Sequence, residues 1–109
     1  MSYKIIPTPR FKKETKRLIK KYASLGNELA ALQESLEKEP SQGTSLGHGA
    51  YKIRLAVKSK KKGKSGGTRI VTYLLTEDEE VYLLTIYDKS EQDTVSEKTL
   101  KSMINEIKE

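Results

Sequence analysis

Apolar and polar residues recur along this chain with two different periods, and the switch between them divides it. Up to Leu36 the period is helical. Phe11, Thr15, Leu18, Ile19 and Tyr22 follow one another at spacings that predict a helix with one buried stripe. Its opposite face carries Lys12, Lys13, Lys16, Lys20 and Lys21. Thr8 and Pro9 read as an N-cap followed by proline at the first helical position, where a missing N–H is tolerated. A break at Ser24–Gly26 leads to a second helix marked by Leu25, Leu29, Leu32 and Leu36 and ended by Pro40 and Gly43. Two amphipathic helices joined by a short turn form a helical hairpin. Ahead of them, Tyr3 to Ile6 is a short strand stopped by Pro7.

From Tyr51 the period falls to two. Tyr51, Ile53, Leu55 and Val57 alternate with Lys52, Arg54, Ala56 and Lys58, the pattern of a strand with one apolar and one polar face. Thr68 to Leu75 and Val81 to Tyr87 are two further β-rich runs, and the acidic stretch Glu77–Glu80 between them suits a hairpin loop. The last run is apolar on both faces, so it is expected to be covered on both sides. Thr94 and Glu97 have capping-box spacing, and Leu100, Met103, Ile104 and Ile107 then mark a final helix. The predicted order is β-α-α-β-β-β-α. This is an α+β fold, with an antiparallel-dominated sheet, an N-terminal αα hairpin and a C-terminal helix. A length of 109 residues suits one domain spanning residues 1–109, with one modest core rather than two.

Composition narrows the class. With 35% apolar and 33% charged residues the chain is polar but not of disordered type. It holds 21 Lys and Arg against 15 Asp and Glu, a formal charge of +6, and its pI is near 9.4, so polyanions are the favoured partners. Cysteine is absent and His48 is the only histidine, which excludes disulfides, thiolate chemistry, a histidine-rich metal site and a paired-histidine nuclease. No apolar run approaches the ~20 residues of a membrane-spanning helix and no signal-peptide core opens the chain, so a cytoplasmic protein is expected.

The distribution of charge says more than its sum. Lys52, Arg54, Lys58, Lys60, Lys61, Lys62, Lys64 and Arg69 follow one another with no acidic residue between them. The lysines Lys58, Lys60, Lys61, Lys62 and Lys64 lie in a glycine-rich loop and read either as an arm that tracks an RNA backbone or as a solvated turn. Arg54 and Arg69 differ from these because each interrupts an apolar strand. Period two places Tyr87 and Lys89 on one face and Asp88 on the other; if that face is shared with Lys52 and Arg54, cations and a phenol converge on one patch. His48, between Gly47 and Gly49, is either a loop acid or base or simply an exposed loop residue. Its glycines form no phosphate-binding loop, since no Gly-Lys-Ser/Thr opens a helix there.

Three blocks in order carry a resemblance: Tyr51-Lys52-Ile53-Arg54-Leu55, the stretch GKSGGTRIV from Gly63 to Val71, and LLTIYDKSE from Leu83 to Glu91. Together with the element order they resemble the RelE/HigB-type toxins of type II toxin–antitoxin systems, within the RelE/ParE superfamily, over nearly the whole chain. The last two blocks look like the HigB branch. The resemblance implies a ribosome-dependent endoribonuclease, an mRNA interferase that enters the A site of the 70S ribosome beside 16S rRNA, cuts mRNA and inhibits translation. Attack of a ribose 2′-oxygen on the adjacent phosphorus would leave a 2′,3′-cyclic phosphate and a 5′-hydroxyl, with no metal and no cofactor. It also implies a cognate antitoxin, expected to be acidic and DNA-binding.

That chemistry needs a base, stabilisation of charge on phosphorus and an acid for the leaving oxygen. Clustered cations make a neighbouring lysine easier to deprotonate, and arginine is a bidentate phosphate clamp. By resemblance, Lys52 is a base candidate, Arg54 its electrostatic partner, Arg69 the contact to the scissile phosphate and Lys89 a basic residue at the end of the last strand. The chain departs from RelE where Val95 stands in place of a C-terminal tyrosine. Tyr87 is the compensating candidate, and the base is Lys52 or Tyr87. Two other readings share the same surface: a ParE-like toxin acting on gyrase, and a non-enzymatic RNA- or ribosome-binding module.

Overall fold

Thr8 starts the first helix as its position suggests, its hydroxyl accepting from the Phe11 N–H at 3.3 Å while Pro9 occupies the first turn. The computed structural model describes residues 2–58, 67–92 and 94–108. Its elements are β1 (Lys4–Pro7), α1 (Pro9–Lys21), α2 (Leu25–Lys38), β2 (Thr44–Gly47), β3 (Ala50–Leu55), β4 (Thr68–Leu75), β5 (Glu80–Asp88) and α3 (Glu97–Lys108). No helix among the described residues is long and apolar enough to cross a membrane.

The strands form one sheet in the order β1-β5-β4-β3-β2. All neighbours are antiparallel except β1 and β5, which run parallel. The mixed α+β class agrees with the sequence, but the order gains an element. β2, Thr-Ser-Leu-Gly on the sheet edge, is largely exposed and too short and polar to show a period. The final helix also starts later than its capping-box spacing suggests. Ser96, not Thr94, is the cap: its hydroxyl accepts from the Thr99 N–H at 3.1 Å and its carbonyl from the Leu100 N–H at 2.9 Å.

The apolar residues gather in two clusters rather than the single thin core expected. On one side of the sheet α1 and α2 place Phe11, Leu18, Leu25, Leu29, Leu32 and Leu36 against Ile53, Ile70, Leu83 and Ile86. On the other, α3 places Leu100, Met103 and Ile104 against Ala50, Val71, Tyr73, Leu84 and Tyr87. A sheet with helices on both faces needs interior strands that are apolar throughout, and β5 meets that need as its sequence implied. Ile19 is a correction to the α1 stripe, since it stands at 39% exposure instead of joining the core.

Polar contacts pin α1 to β5. The β4–β5 register slips by one residue after Val71, which faces Thr85 while Thr72 faces Leu83. Glu14 of α1 serves this bulge, accepting from the Thr85 hydroxyl at 2.6 Å and from the Ile86 N–H at 3.3 Å. Asp88, fully buried at the end of β5, accepts from the Tyr22 hydroxyl at 2.5 Å and from the N–H and hydroxyl of Ser90 at 3.0 and 2.9 Å. Lys21 stands 3.8 Å from the same carboxylate.

The turn between β2 and β3 is bound to α3. Gly47, His48 and Gly49 have φ of +81°, +56° and +81°, a path that glycine adopts freely and that His48 adopts at some strain. His48 Nε2 lies 3.3 Å from Glu97 Oε1, and Lys101 Nζ approaches the same oxygen at 3.3 Å. The hydrogen bond from His48, then that from Lys101, hold the Glu97 carboxyl below the usual carboxylate range.

Two outcomes follow from these contacts. Tyr22→Phe leaves the buried Asp88 without its shortest donor and is expected to cost about 1–3 kcal/mol in urea unfolding. Because the Glu97 carboxyl is lowered on folding, the stabilisation it supplies is present above the unfolded-state value and lost as pH falls through the folded one. In an NMR titration the Glu97 midpoint should therefore rise on His48→Ala; an unchanged midpoint would show that the contact does not hold it.

Candidate active site

The strand register decides whether the sequence-predicted residues meet. Ala50, Lys52 and Arg54 lie on the α3 side of β3, opposite to Ile53, which packs under α1 and α2. Arg54 faces Arg69 directly across β3 and β4, and Arg69 faces Tyr87 directly across β4 and β5. The three thus form one cross-strand row, with neighbours about 5 Å apart at their Cα atoms. Lys52, two residues along β3 from Arg54, joins the same face about 7 Å away and lies opposite Val71. The face that period two left conditional is therefore shared by Lys52, Arg54 and Tyr87, and Arg69 lies on it as well.

Depth separates these side chains. Arg54 is exposed and Lys52 half-buried, whereas Arg69 and Tyr87 are only 3% and 4% exposed. Tyr87 packs in the α3-side cluster, and the Arg69 guanidinium donates to the Thr68 carbonyl at 3.3 Å. Two arginines directly opposite each other repel. An anion laid over the row turns the repulsion into binding, and arginine's planar fork suits a phosphate.

Lys89 follows the end of β5 and is exposed, its backbone N–H donating to the Gly67 carbonyl at 3.3 Å. A Cβ on Gly67 would lie 2.2 Å from the Leu55 carbonyl oxygen, so only glycine lets the start of β4 pass the end of β3 this closely. Lys58 is exposed, with its backbone N–H donating to Glu28 of α2 at 2.7 Å. Lys60, Lys61, Lys62 and Lys64 lie outside the described residues.

His48 is not part of this group. It sits beyond Ala50, the opposite end of β3, which is itself about 13 Å along the strand from Arg54, and its ring is engaged with Glu97. The exposed-loop reading holds for it. Val95, at the position where the family resemblance expects a tyrosine, packs against the α3-side cluster and acts as an apolar residue.

Sequence reasoning missed the side chains that hold the site's end of the sheet. Tyr22 and Asp88 are separated by 66 positions, and Arg17, whose guanidinium pairs with Glu91 at 3.3 Å, by 74 from its partner. The only local signal was a carboxylate, Asp88, closing an apolar strand on the face that the helices cover.

Comparison with known proteins agrees with this architecture. The family described as the RelE toxin of the RelE/RelB toxin–antitoxin system matches residues 4–108. Among solved structures, a double-arginine mutant of the E. coli toxin RelE in the free state is 16% identical, covers 98% of this chain and 99% of its own, and superposes with a TM-score of 0.66. The isolated E. coli RelE toxin is 20% identical over 97% of this chain and 99% of its own, with a TM-score of 0.48. The first of these shows a shared fold, and the family match spans both helical layers and every strand described above. The chain belongs to the RelE toxin family of toxin–antitoxin systems.

Proposed function

We propose that this protein is a ribosome-dependent endoribonuclease that cuts mRNA in the ribosomal A site, stops translation, and is neutralised by a cognate antitoxin. The observation that carries the reading is the cross-strand row Arg54–Arg69–Tyr87 with Lys52 beside it. It gathers a phosphate clamp and two candidate proton carriers on one face of a rigid sheet. In the reaction a base takes the proton of the ribose 2′-hydroxyl and the 2′-oxygen bonds to phosphorus. The bond to the 5′-oxygen breaks, and that oxygen takes up a proton. The products are a 2′,3′-cyclic phosphate and a 5′-hydroxyl.

Within this scheme Arg69 and Arg54 stabilise the charge that builds on the phosphoryl oxygens. Lys52 or Tyr87 is the base, and Lys89, at the strand end, contacts the leaving side of the substrate. The lysines Lys58, Lys60, Lys61, Lys62 and Lys64 attach the protein to ribosomal RNA by charge. The antitoxin, acidic and DNA-binding, offsets the basic surface.

A second reading is favoured by one observation, the burial of Arg69 and Tyr87. If only Lys52, Arg54 and Lys89 reach RNA, the face binds phosphates without cutting. Inducible expression with mapped mRNA ends separates the two. Wild type is expected to arrest growth with codon-phased cuts, and Arg69→Ala to lower cutting about 10²–10³-fold, the usual cost of losing a charge-stabilising donor. Arrest without cuts, with Arg69→Lys tolerated, would establish the binding-only reading. Normal growth and intact transcripts from folded wild type would overturn both.

Cleavage of naked RNA is expected to be weak, because the ribosome is assigned the task of ordering the substrate. Comparable rates on free and ribosome-bound message would remove the ribosome from the mechanism.

A further inference from the structure

The side chains of β5 break the alternation that a regular strand imposes. Leu83 and Ile86 pack with α1 and α2, whereas Tyr82, Leu84 and Tyr87 join the cluster beneath α3. Residues three apart thus share a face on both sides of the sheet, where strict period two allows only even spacings. The register locates the cause. Val71 faces Thr85 and Thr72 faces Leu83, so Leu84 is an extra residue in β5. Without that bulge, Ile86 and Asp88 would follow Tyr82 and Leu84 onto the α3 side. Tyr87 would then turn under the helices, away from Arg54 and Arg69.

The bulge is held from outside the sheet, by α1. Thr85, only 3% exposed, donates its hydroxyl to Glu14 Oε1 at 2.6 Å, and the Ile86 N–H donates to the same oxygen at 3.3 Å. The other Glu14 oxygen stands 3.6 Å from Arg10 Nε, one turn back along the helix. One carboxylate oxygen therefore collects two donors at the bulge while the other is held by a cation. A buried hydroxyl left without an acceptor is costly, so the extra residue is stable where Glu14 meets it.

We infer that Glu14 is a positioning residue for cleavage: by fixing the bulge at Leu84 and Thr85 it places Tyr87 in the row with Arg54 and Arg69. Glu14 lies on the opposite side of the sheet from that row, so it acts through Tyr87. The effect on rate rests on the cleavage reading; the effect on the strand does not.

The test makes Glu14→Leu and Glu14→Gln in the full chain, and Glu14→Leu again with Thr85 deleted, beside the deletion alone. Deleting Thr85 removes the extra residue. Leu84 then faces Val71, while Ile86 still faces Ile70 and Tyr87 still faces Arg69, every side chain on its present face. Such a strand no longer needs Glu14. Cutting of ribosome-bound message gives the maximal rate and the half-saturating concentration, and NMR gives the contacts of the Tyr87 ring with α3. In the bulged chain Glu14→Leu is expected to lower the maximal rate about 10²-fold, the scale for a misplaced side chain, with half-saturation unchanged. The Tyr87 contacts should weaken with it. Glu14→Gln keeps an oxygen acceptor and should retain both. With Thr85 deleted, Glu14→Leu should cut as fast as the deletion alone.

An equal loss on Glu14→Leu in both backgrounds would overturn the inference, as would a slowed Glu14→Leu whose Tyr87 contacts are intact. Loss of rate in Glu14→Gln would do so too, because charge rather than hydrogen-bond acceptance would then matter. A deletion chain that fails to fold would remove the premise that a regular strand serves both faces. If the bulged Glu14→Leu does not fold, the pair in the deletion background decides. If wild type does not cut, the cleavage reading fails, and the Tyr87 contacts alone judge the role of Glu14.

Discussion

The antiparallel register of β3, β4 and β5 sets which residues meet and which face they meet on. Side chains alternate along a strand, so a slip of one residue would turn Lys52, Arg54, Arg69 and Tyr87 toward the α1/α2 core and bring Ile53, Ile70 and Ile86 out beneath α3. Neither outcome is tolerable for a sheet clothed on both sides. The apolar partners Ile53–Ile70–Ile86 therefore hold the cationic row in place from the opposite face. Packing and the candidate site are two readings of one register.

The sheet's functional end is also tied down by polar groups taken out of water. Asp88 is buried and supplied with donors from Tyr22 and Ser90, with Lys21 nearby. Glu14 fills the bulge in β5, and Arg17 reaches across to Glu91. Buried polar groups are costly unless satisfied, and these are satisfied only when α1 lies against β5 in one position. The helix that carries Glu14 is thereby the helix that fixes the strand carrying Tyr87. At the far end, the His48–Glu97 contact does the corresponding work for α3.

Charge is partitioned by surface. One group of cations lies on the α3 side of the sheet, where two arginines face each other across strands. Another lines the outside of α1, where apolar side chains accompany it. Glu14 of α1, Asp88 at the end of β5 and Glu91 after it pair with Arg10, Lys21 and Arg17. A net charge of +6 is consistent with both and distinguishes neither.

Periodicity alone determined most of the elements. Helical spacing located α1, α2 and α3, alternation located β3, and β-rich apolar runs located β4 and β5, because each of these has a buried face that only apolar residues can fill. It also put Tyr87 and Lys89 opposite Asp88, and the burial of Asp88 under α1 agrees. Where burial is weak the signal fails: β2 has almost no buried face, Ile19 follows the stripe yet stays outside the core, and the true cap of α3 depends on which hydroxyl lies nearer the first turn. The row Arg54–Arg69–Tyr87 was a conditional in the sequence, since a strand's own pattern gives its faces but not its partner's register. Tertiary structure settled that register, the burial of Arg69 and the pairing of Tyr22 with Asp88, because each is a contact between residues that local chain physics cannot bring together.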